Sequence, residues 1–293
     1  MKKPPVKKPA RLTTQTQAQT QIQAQTQTQT PQNPTERALL EQILQGLEIL
    51  CLKEMRRAFE QALEQPQPHQ ERLTWLWQLL EPQLKQRSEG RVERRIREAR
   101  LPERKSFAAF DFAFQPSLDR DLILELATLR FIDQGKNLLL AGMSGTGKSH
   151  IALALALCAC AANRRVLYTT SAAMLARLNA SLADGSLMHT AIKPYIRAEL
   201  LVIDEVGLEQ VERKEASRSG LMQKVLLPRY NEQRSTIVTS NIPWDAWGEY
   251  LDDHLGATAI IDRLLHRSHV IVINGPSYRE WAHRSEVQAT KEK

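Results

Sequence analysis

The chain has 293 residues, of which 42 % are hydrophobic, and a formal net charge of +7. Three cysteines, Cys51, Cys158 and Cys160, are too few and too irregularly spaced for a disulfide scaffold or a zinc site. The longest apolar run, 151–162, is too short to span a bilayer. These features exclude a membrane-spanning or disulfide-stapled protein and leave a basic cytoplasmic one of one or two domains, whose charge suits nucleic acid before a membrane surface.

Residues 1–34 open with Lys2, Lys3, Lys7, Lys8 and Arg11 and pass into a Gln-Thr alternation from Thr13 to Thr30. Such a tract buries too little apolar surface to offset its ordering entropy, so a disordered tail is expected. It suits either a basic arm on DNA or a solubilising spacer. No apolar core segment follows the basic start, so no signal peptide is expected.

Pro34-Thr35-Glu36-Arg37 reads as a helix start, and Leu39, Leu40, Ile43, Leu44, Leu47 and Leu50 recur with helical period. The apolar face is expected to continue through Leu52, Met55, Ala58, Phe59 and Leu63 to a break at Pro66-Gln67-Pro68. A second amphipathic segment carries Leu73, Leu76, Leu79, Leu80 and Leu84. Trp75 and Trp77 within it could stack on bases, but are expected first as core anchors of a small helical bundle. Then comes an arginine-rich stripe including Arg87, Arg91, Arg94, Arg95, Arg97 and Arg100, interleaved with glutamates and ended by Pro102. Residues 35–104 therefore read as a helical N-terminal domain.

From residue 105 strands and helices alternate, the pattern of a parallel sheet covered by helices. The strands are expected at Asn137–Ala141, Val166–Thr170, Leu200–Asp204, Thr236–Ser240 and Val270–Ile273. Cys158 and Cys160 fall on the helix after the first strand, and all three cysteines, Cys51 included, are expected as buried thiols.

The first strand runs into Gly142-Met143-Ser144-Gly145-Thr146-Gly147-Lys148-Ser149-His150 and then into an Ala/Leu-rich helix. Strand, glycine loop and helix are the setting in which Gly-x-x-x-x-Gly-Lys-Ser binds phosphates. Glycines let backbone N–H groups wrap the anion, and the helix N-terminus adds partial positive charge. Lys148 would reach the β- and γ-phosphates of ATP, and the Ser149 hydroxyl would ligate Mg²⁺. Downstream, Leu200-Leu201-Val202-Ile203-Asp204-Glu205 ends an apolar strand in two carboxylates. Asp204 is expected to hold the metal and Glu205 to polarise the attacking water. Asn241, at the end of Thr236–Ser240, can help place that water.

With these landmarks in order, the chain resembles an AAA+ ATPase of the branch that holds DnaC-like helicase loaders and IstB-like helpers of insertion-sequence transposases. The stretches that carry the resemblance are Phe110 to Asp119, Gly142 to Ser149, Ala183-Asp184-Gly185, Leu201 to Glu205, Thr239 to Asn241, and Asp262 to Arg267 through Ser277-Tyr278-Arg279. It covers roughly residues 35–285, leaving 286–293 as a C-terminal tail. The resemblance implies an α/β P-loop NTPase core at 105–285 with a parallel sheet and no C-terminal helical lid. It implies that Arg263 is an arginine finger and Arg279 a second nucleotide sensor, and that the chain binds DNA and self-assembles with ATP. Arg177, Lys193 and Arg197 flank helices that face DNA in this branch, and Arg94 and Arg95 lie on the basic stripe. His266, His269 and His283 form no metal spacing and read as structural.

The expected function is a DNA-stimulated ATPase that assembles as a homo-oligomer on duplex DNA and delivers target DNA to, and activates, a transposase. A loader of a replicative helicase, or a nucleotide-controlled DNA scaffold with minor hydrolysis, are the alternatives. No membrane partner is expected.

Overall fold

A computed structural model of the chain describes residues 34–63, 70–183, 190–208 and 217–291. The tail up to residue 33, the Pro66-Gln67-Pro68 break and Asp184-Gly185 lie outside the described residues. The chain divides between Glu89 and Gly90 into two compact units.

In the first unit, helices α1 (Pro34–Ile49), α2 (Lys53–Leu63) and the first part of α3 (Gln70–Ala99) close a small core of Ile43, Leu47, Leu73, Leu76 and Leu80. The apolar face is not continuous, as the sequence had suggested. The chain breaks at Cys51, which has a positive φ of 61°. Leu52 N–H donates to Leu47 O at 3.0 Å, the 6→1 bond that closes a helix on a left-handed residue. No glycine marks the stop. Beyond it Leu52 and Met55 are exposed, and so is Cys51, against the expectation of a buried thiol. The tryptophans also divide. Trp77 packs against the small core, whereas Trp75 is 62 % exposed, because residues two apart on a helix face different ways.

The second unit is a five-stranded sheet: β1 (Asn137–Gly142), β2 (Val166–Thr170), β3 (Leu200–Val206), β4 (Ser235–Ser240) and β5 (Ser268–Ile273). The spatial order is β2-β3-β4-β1-β5 and every pairing is parallel. Each parallel crossover carries helices that cover the sheet, so the inner strands are apolar on both faces. Alternation sorts the side chains. Leu138, Leu140, Leu200 and Val202 enter one core with Ile151, Leu155 and Ala159 of α6 (Lys148–Ala161). Leu139, Leu201, Ile203 and Val238 enter the other. There they meet α7 (Ser171–Ala183), α8 (Lys193–Arg197), α9 (Arg218–Asn231), α10 (Trp247–Leu251) and α11 (His254–Leu265). Short helices α4 (Arg120–Ala127) and α5 (Arg130–Asp133) precede β1. The last helix, α12 (Tyr278–Lys291), continues past residue 285.

Two polar devices hold this frame. Asp119 caps α4 by accepting from the N–H groups of Asp121 and Leu122. Arg229, fully buried on α9, donates to the carbonyls of Tyr195 and Ala198, each at 2.7 Å, to that of Ser235, and to Thr236 Oγ1 at 3.0 Å. It thereby ties the end of α8 to the start of β4. Burial pushes its guanidinium down to about 9.

Candidate functional site

In a parallel sheet all strands end on one edge, and ligands of open α/β folds bind there. Here that edge opens into a cleft of about 710 Å³. Its walls include the loop Ser144 to Ser149, His150, Asp204, Glu205, Asn241 and Arg279, together with Phe110, Phe114, Tyr168 and Tyr278.

The loop between β1 and α6 is shaped by close approach. Gly145 (φ +80°) lies where an added Cβ would meet Ser277 Oγ at 2.1 Å, and Gly147 (φ +98°) where one would meet the Phe110 ring at 2.7 Å. Only glycine fits either position. Tyr278 N–H also donates to Gly145 O at 3.0 Å, which fastens the loop to the start of α12. Gly142 closes β1 against Ile273, and Thr146 Oγ1 donates to Met143 O at 2.9 Å.

Lys148 opens α6 and is 5 % exposed. Its Nζ donates to the carbonyls of Gly142 at 2.8 Å and Met143 at 2.7 Å. Burial is the main cause that lowers its pKa to about 8; the Asp204 carboxylate works against the fall and the nearby Arg279 adds to it. A buried cation at a helix N-terminus, with no carboxylate bonded to it in the described structure, suits an incoming anion.

Ser149 Oγ donates to Asp204 Oδ1 at 2.9 Å. This bond joins the helix after the glycine loop to the carboxylate at the end of β3. Asp204 is 2 % exposed. It also accepts from Thr239 Oγ1 on β4, and its Oδ2 accepts from the Tyr168 hydroxyl on β2 at 2.7 Å. A hydroxyl and a carboxylate are hard oxygen donors, the kind that Mg²⁺ takes together with substrate phosphates. Among the described residues no cluster of three His, Cys, Asp or Glu could hold a metal unaided.

Neighbouring residues of a regular strand point to opposite faces, yet Asp204 and Glu205 both line the cleft. The register between β3 and β4 shifts between Ile203 and Val206, and Glu205 adopts a left-handed φ of 62°. A non-glycine residue there costs about 1–3 kcal/mol. The Glu205 N–H is met by Thr239 Oγ1 at 2.9 Å. Asn241 follows β4, its N–H bonded to Val206 O at 3.1 Å. His150 Nε2 lies 2.9 Å from Ser106 O, and its ring meets that of Phe110 edge-on at 5.1 Å.

With this geometry in hand, comparison with known proteins is direct. The family model described as IstB-like ATP binding protein matches residues 45–286. The chain belongs to that family. It is 41 % identical over 188 residues to an ATP-binding protein of insertion sequence IS21 from Pseudomonas aeruginosa, covering 64 % of this chain and 69 % of that one. It is 34 % identical over 242 residues to an insertion-sequence ATP-binding protein of Sinorhizobium fredii, covering 82 % and 97 %. Among solved structures, DnaI aligns with a TM-score of 0.45 at 22 % identity, over 59 % of this chain and 90 % of DnaI.

The remaining sequence candidates of this IstB-like chain lie in two settings. Arg279, on α12, lines the cleft and acts electrostatically on Lys148. Arg263 is not among the residues lining it. It sits on α11, half-buried, with Nη1 donating to Ala259 O at 2.7 Å. Arg177 on α7, and Lys193 and Arg197 at the two ends of α8, are exposed. Arg95 and Arg197 border a separate hollow of about 180 Å³ with Arg165 and Glu98. Arg94 and Arg95 both pair with Glu98, at 3.9 and 3.1 Å, and Arg95 also donates to Asn163 Oδ1 at 3.0 Å. Among the described residues no helix is long and apolar enough to cross a membrane. Cys160 is buried and its thiol is pushed up to about 11 by desolvation, so it is unreactive.

Tyr168 and Thr239 have no role at the site in the sequence reading, although Thr239 lies in a stretch that carries the resemblance. Each sits in an ordinary strand pattern and reaches Asp204 only through strand pairing. The aromatic cluster of Phe114, Tyr278 and Trp281, with ring centroids 5.1–5.4 Å apart and the first two rings on the cleft wall, was likewise invisible as a group.

Proposed function

We propose that this chain binds MgATP in the cleft, hydrolyses it when assembled as a homo-oligomer on duplex DNA, and in that state delivers target DNA to a transposase and activates it. The observation that carries the nucleotide part is the hydrogen bond between Ser149 and Asp204. It brings the phosphate-loop helix and the acidic strand end to one point, where a magnesium ion held by ATP would find both. Magnesium would supply charge neutralisation across the terminal phosphates.

In this reading the N–H groups at the head of α6 and the Lys148 ammonium bind the phosphates. Glu205, turned into the cleft by its left-handed backbone, orients and deprotonates water, and Asn241 helps hold that water in line. Arg279 adds positive charge on the α12 side. Arg263 acts on the site of a neighbouring subunit, so hydrolysis is conditional on assembly. The exposed Arg177, Lys193 and Arg197, with Arg94 and Arg95, contribute phosphate-backbone contacts. The transposase as recipient is supported by membership of the IstB-like family and by relatives that are named as insertion-sequence proteins.

The test is reconstitution. The chain is incubated with ATP, Mg²⁺ and duplex DNA together with an insertion-sequence transposase and a replicative helicase, and the protein that co-purifies is identified. ATP-dependent capture of the transposase on DNA, lost in Lys148→Ala, is the expected result. Capture that is the same without ATP refutes nucleotide control. Capture of a replicative helicase in place of the transposase reverses the partner assignment.

A further inference from the structure

The Asp204 carboxylate is held by three hydroxyls from three separate elements. Oδ1 accepts from Ser149 of α6 and from Thr239 of β4. Oδ2 accepts from Tyr168 of β2 at 2.7 Å. With both oxygens anchored from opposite sides, the carboxylate plane cannot turn about its Cβ–Cγ bond. Ser149 and Thr239 share one oxygen, so the phenol alone fixes the other among the hydrogen bonds of the described residues.

We propose that Tyr168 is a positioning residue that presets the Asp204 carboxylate for the magnesium ion of bound ATP. This rests on the MgATP reading of the cleft and deepens it. Tyr168 itself lines the cleft, and β2 brings it there through a parallel register in which Thr170 pairs with Asp204. The phenol stays protonated at any working pH, because burial and the Asp204 anion raise its pKa. It therefore serves as a donor, and the 2.7 Å contact sets Oδ2 as its acceptor. A hydroxyl that donates to a metal-binding carboxylate sets the angle of that ligand and the energy lost when it reorients. Groups in this position typically alter metal affinity or activity by 10–100-fold.

Tyr168→Phe removes one oxygen and keeps the ring, which packs against the core that includes Val166 and Leu155. The experiment measures the affinity of the full chain for a fluorescent ATP analogue across a titration of free Mg²⁺, and again in excess chelator. In Tyr168→Phe the Mg²⁺ midpoint is expected to rise about tenfold or more. Affinity in chelator and the thermal midpoint of the ligand-free protein should match the parent. An unchanged Mg²⁺ midpoint overturns the proposal. So does a loss of affinity in chelator accompanied by a lower thermal midpoint, which would make Tyr168 a packing residue. If the parent binds the analogue with no dependence on Mg²⁺, the metal reading of the cleft fails first, and the assignment of Tyr168 with it.

Discussion

Lys148 gives a test of the site that needs no ligand. Its ammonium is buried, and its pKa falls from 10.5 to about 8. Replacing it by methionine keeps the length of the chain and removes the titration. Below pH 8 the lysine is protonated in both folded and unfolded states, and the full penalty of burying the charge is present. Between pH 8 and 10.5 the unfolded state holds more protons than the folded one, so stability must rise with pH. The full shift corresponds to about 3 kcal/mol, and by pH 9 roughly 1–2 kcal/mol of it should be recovered. Lys148→Met also loses two hydrogen bonds to the Gly142 and Met143 carbonyls. That loss is independent of pH, so the slope is diagnostic and the offset is not. Urea unfolding of both proteins side by side at pH 7, 8 and 9 cancels the other titrating groups. The parent should gain on the variant by roughly 1–2 kcal/mol over that span. A difference that stays flat would show that Lys148 is not desolvated, and the pre-charged anion site would lose its basis. The same linkage predicts that ATP, by restoring the ammonium, takes up a fraction of a proton near pH 8. Calorimetry in buffers of unlike ionisation enthalpy reads that uptake directly.

Other outcomes follow from the same geometry. Glu205→Gln should bind ATP as the parent does and hydrolyse it about 10²- to 10⁴-fold more slowly; unchanged turnover in a DNA-stimulated assay would remove Glu205 from the chemistry. Arg263→Ala should keep nucleotide binding by the monomer and lose hydrolysis, since an arginine finger contributes about 10³- to 10⁵-fold. Mixing it with Lys148→Ala subunits should restore part of the activity, and no recovery in mixtures proven to co-assemble would leave Arg263 a structural side chain. Replacing Arg177, Lys193 and Arg197 together by alanine should weaken duplex binding equally for unrelated sequences and flatten the log–log salt slope by about 2–3; a parental slope would place the DNA elsewhere.

Much of the second unit was legible because its signals are local. Five apolar runs gave five strands, each within two residues of its observed ends, since buried parallel strands need continuous Val, Ile and Leu. The first unit was less legible. Helix α1 closes on a left-handed residue, Cys51, that is not a glycine, so no residue type marks the stop. The period of Leu52, Met55 and Phe59 continued on paper while the chain had already changed direction. Trp75 was misplaced for a related reason: helical spacing tells which residues share a face, and which face is covered depends on the neighbour.

The site divides along the same line. Lys148, Ser149 and Asp204 could be singled out because each belongs to a short motif whose chemistry fixes the residue type. Tyr168 and Thr239 could not, since their relation to Asp204 spans 36 and 35 residues of chain and exists only once β2, β3 and β4 lie in register. The Asp204–Glu205 pair shows why that register matters. In a plain strand one carboxylate would face the cleft and the other the opposite core. The shifted register beside Val206 and the left-handed Glu205 turn both the same way. Thr239 joins the two, donating to the Asp204 side chain while accepting from the Glu205 N–H. One hydroxyl therefore sets the carboxylate suited to a metal and the backbone that aims the carboxylate suited to water. Its removal should disturb both functions together, whereas removal of the Tyr168 hydroxyl should disturb the metal alone.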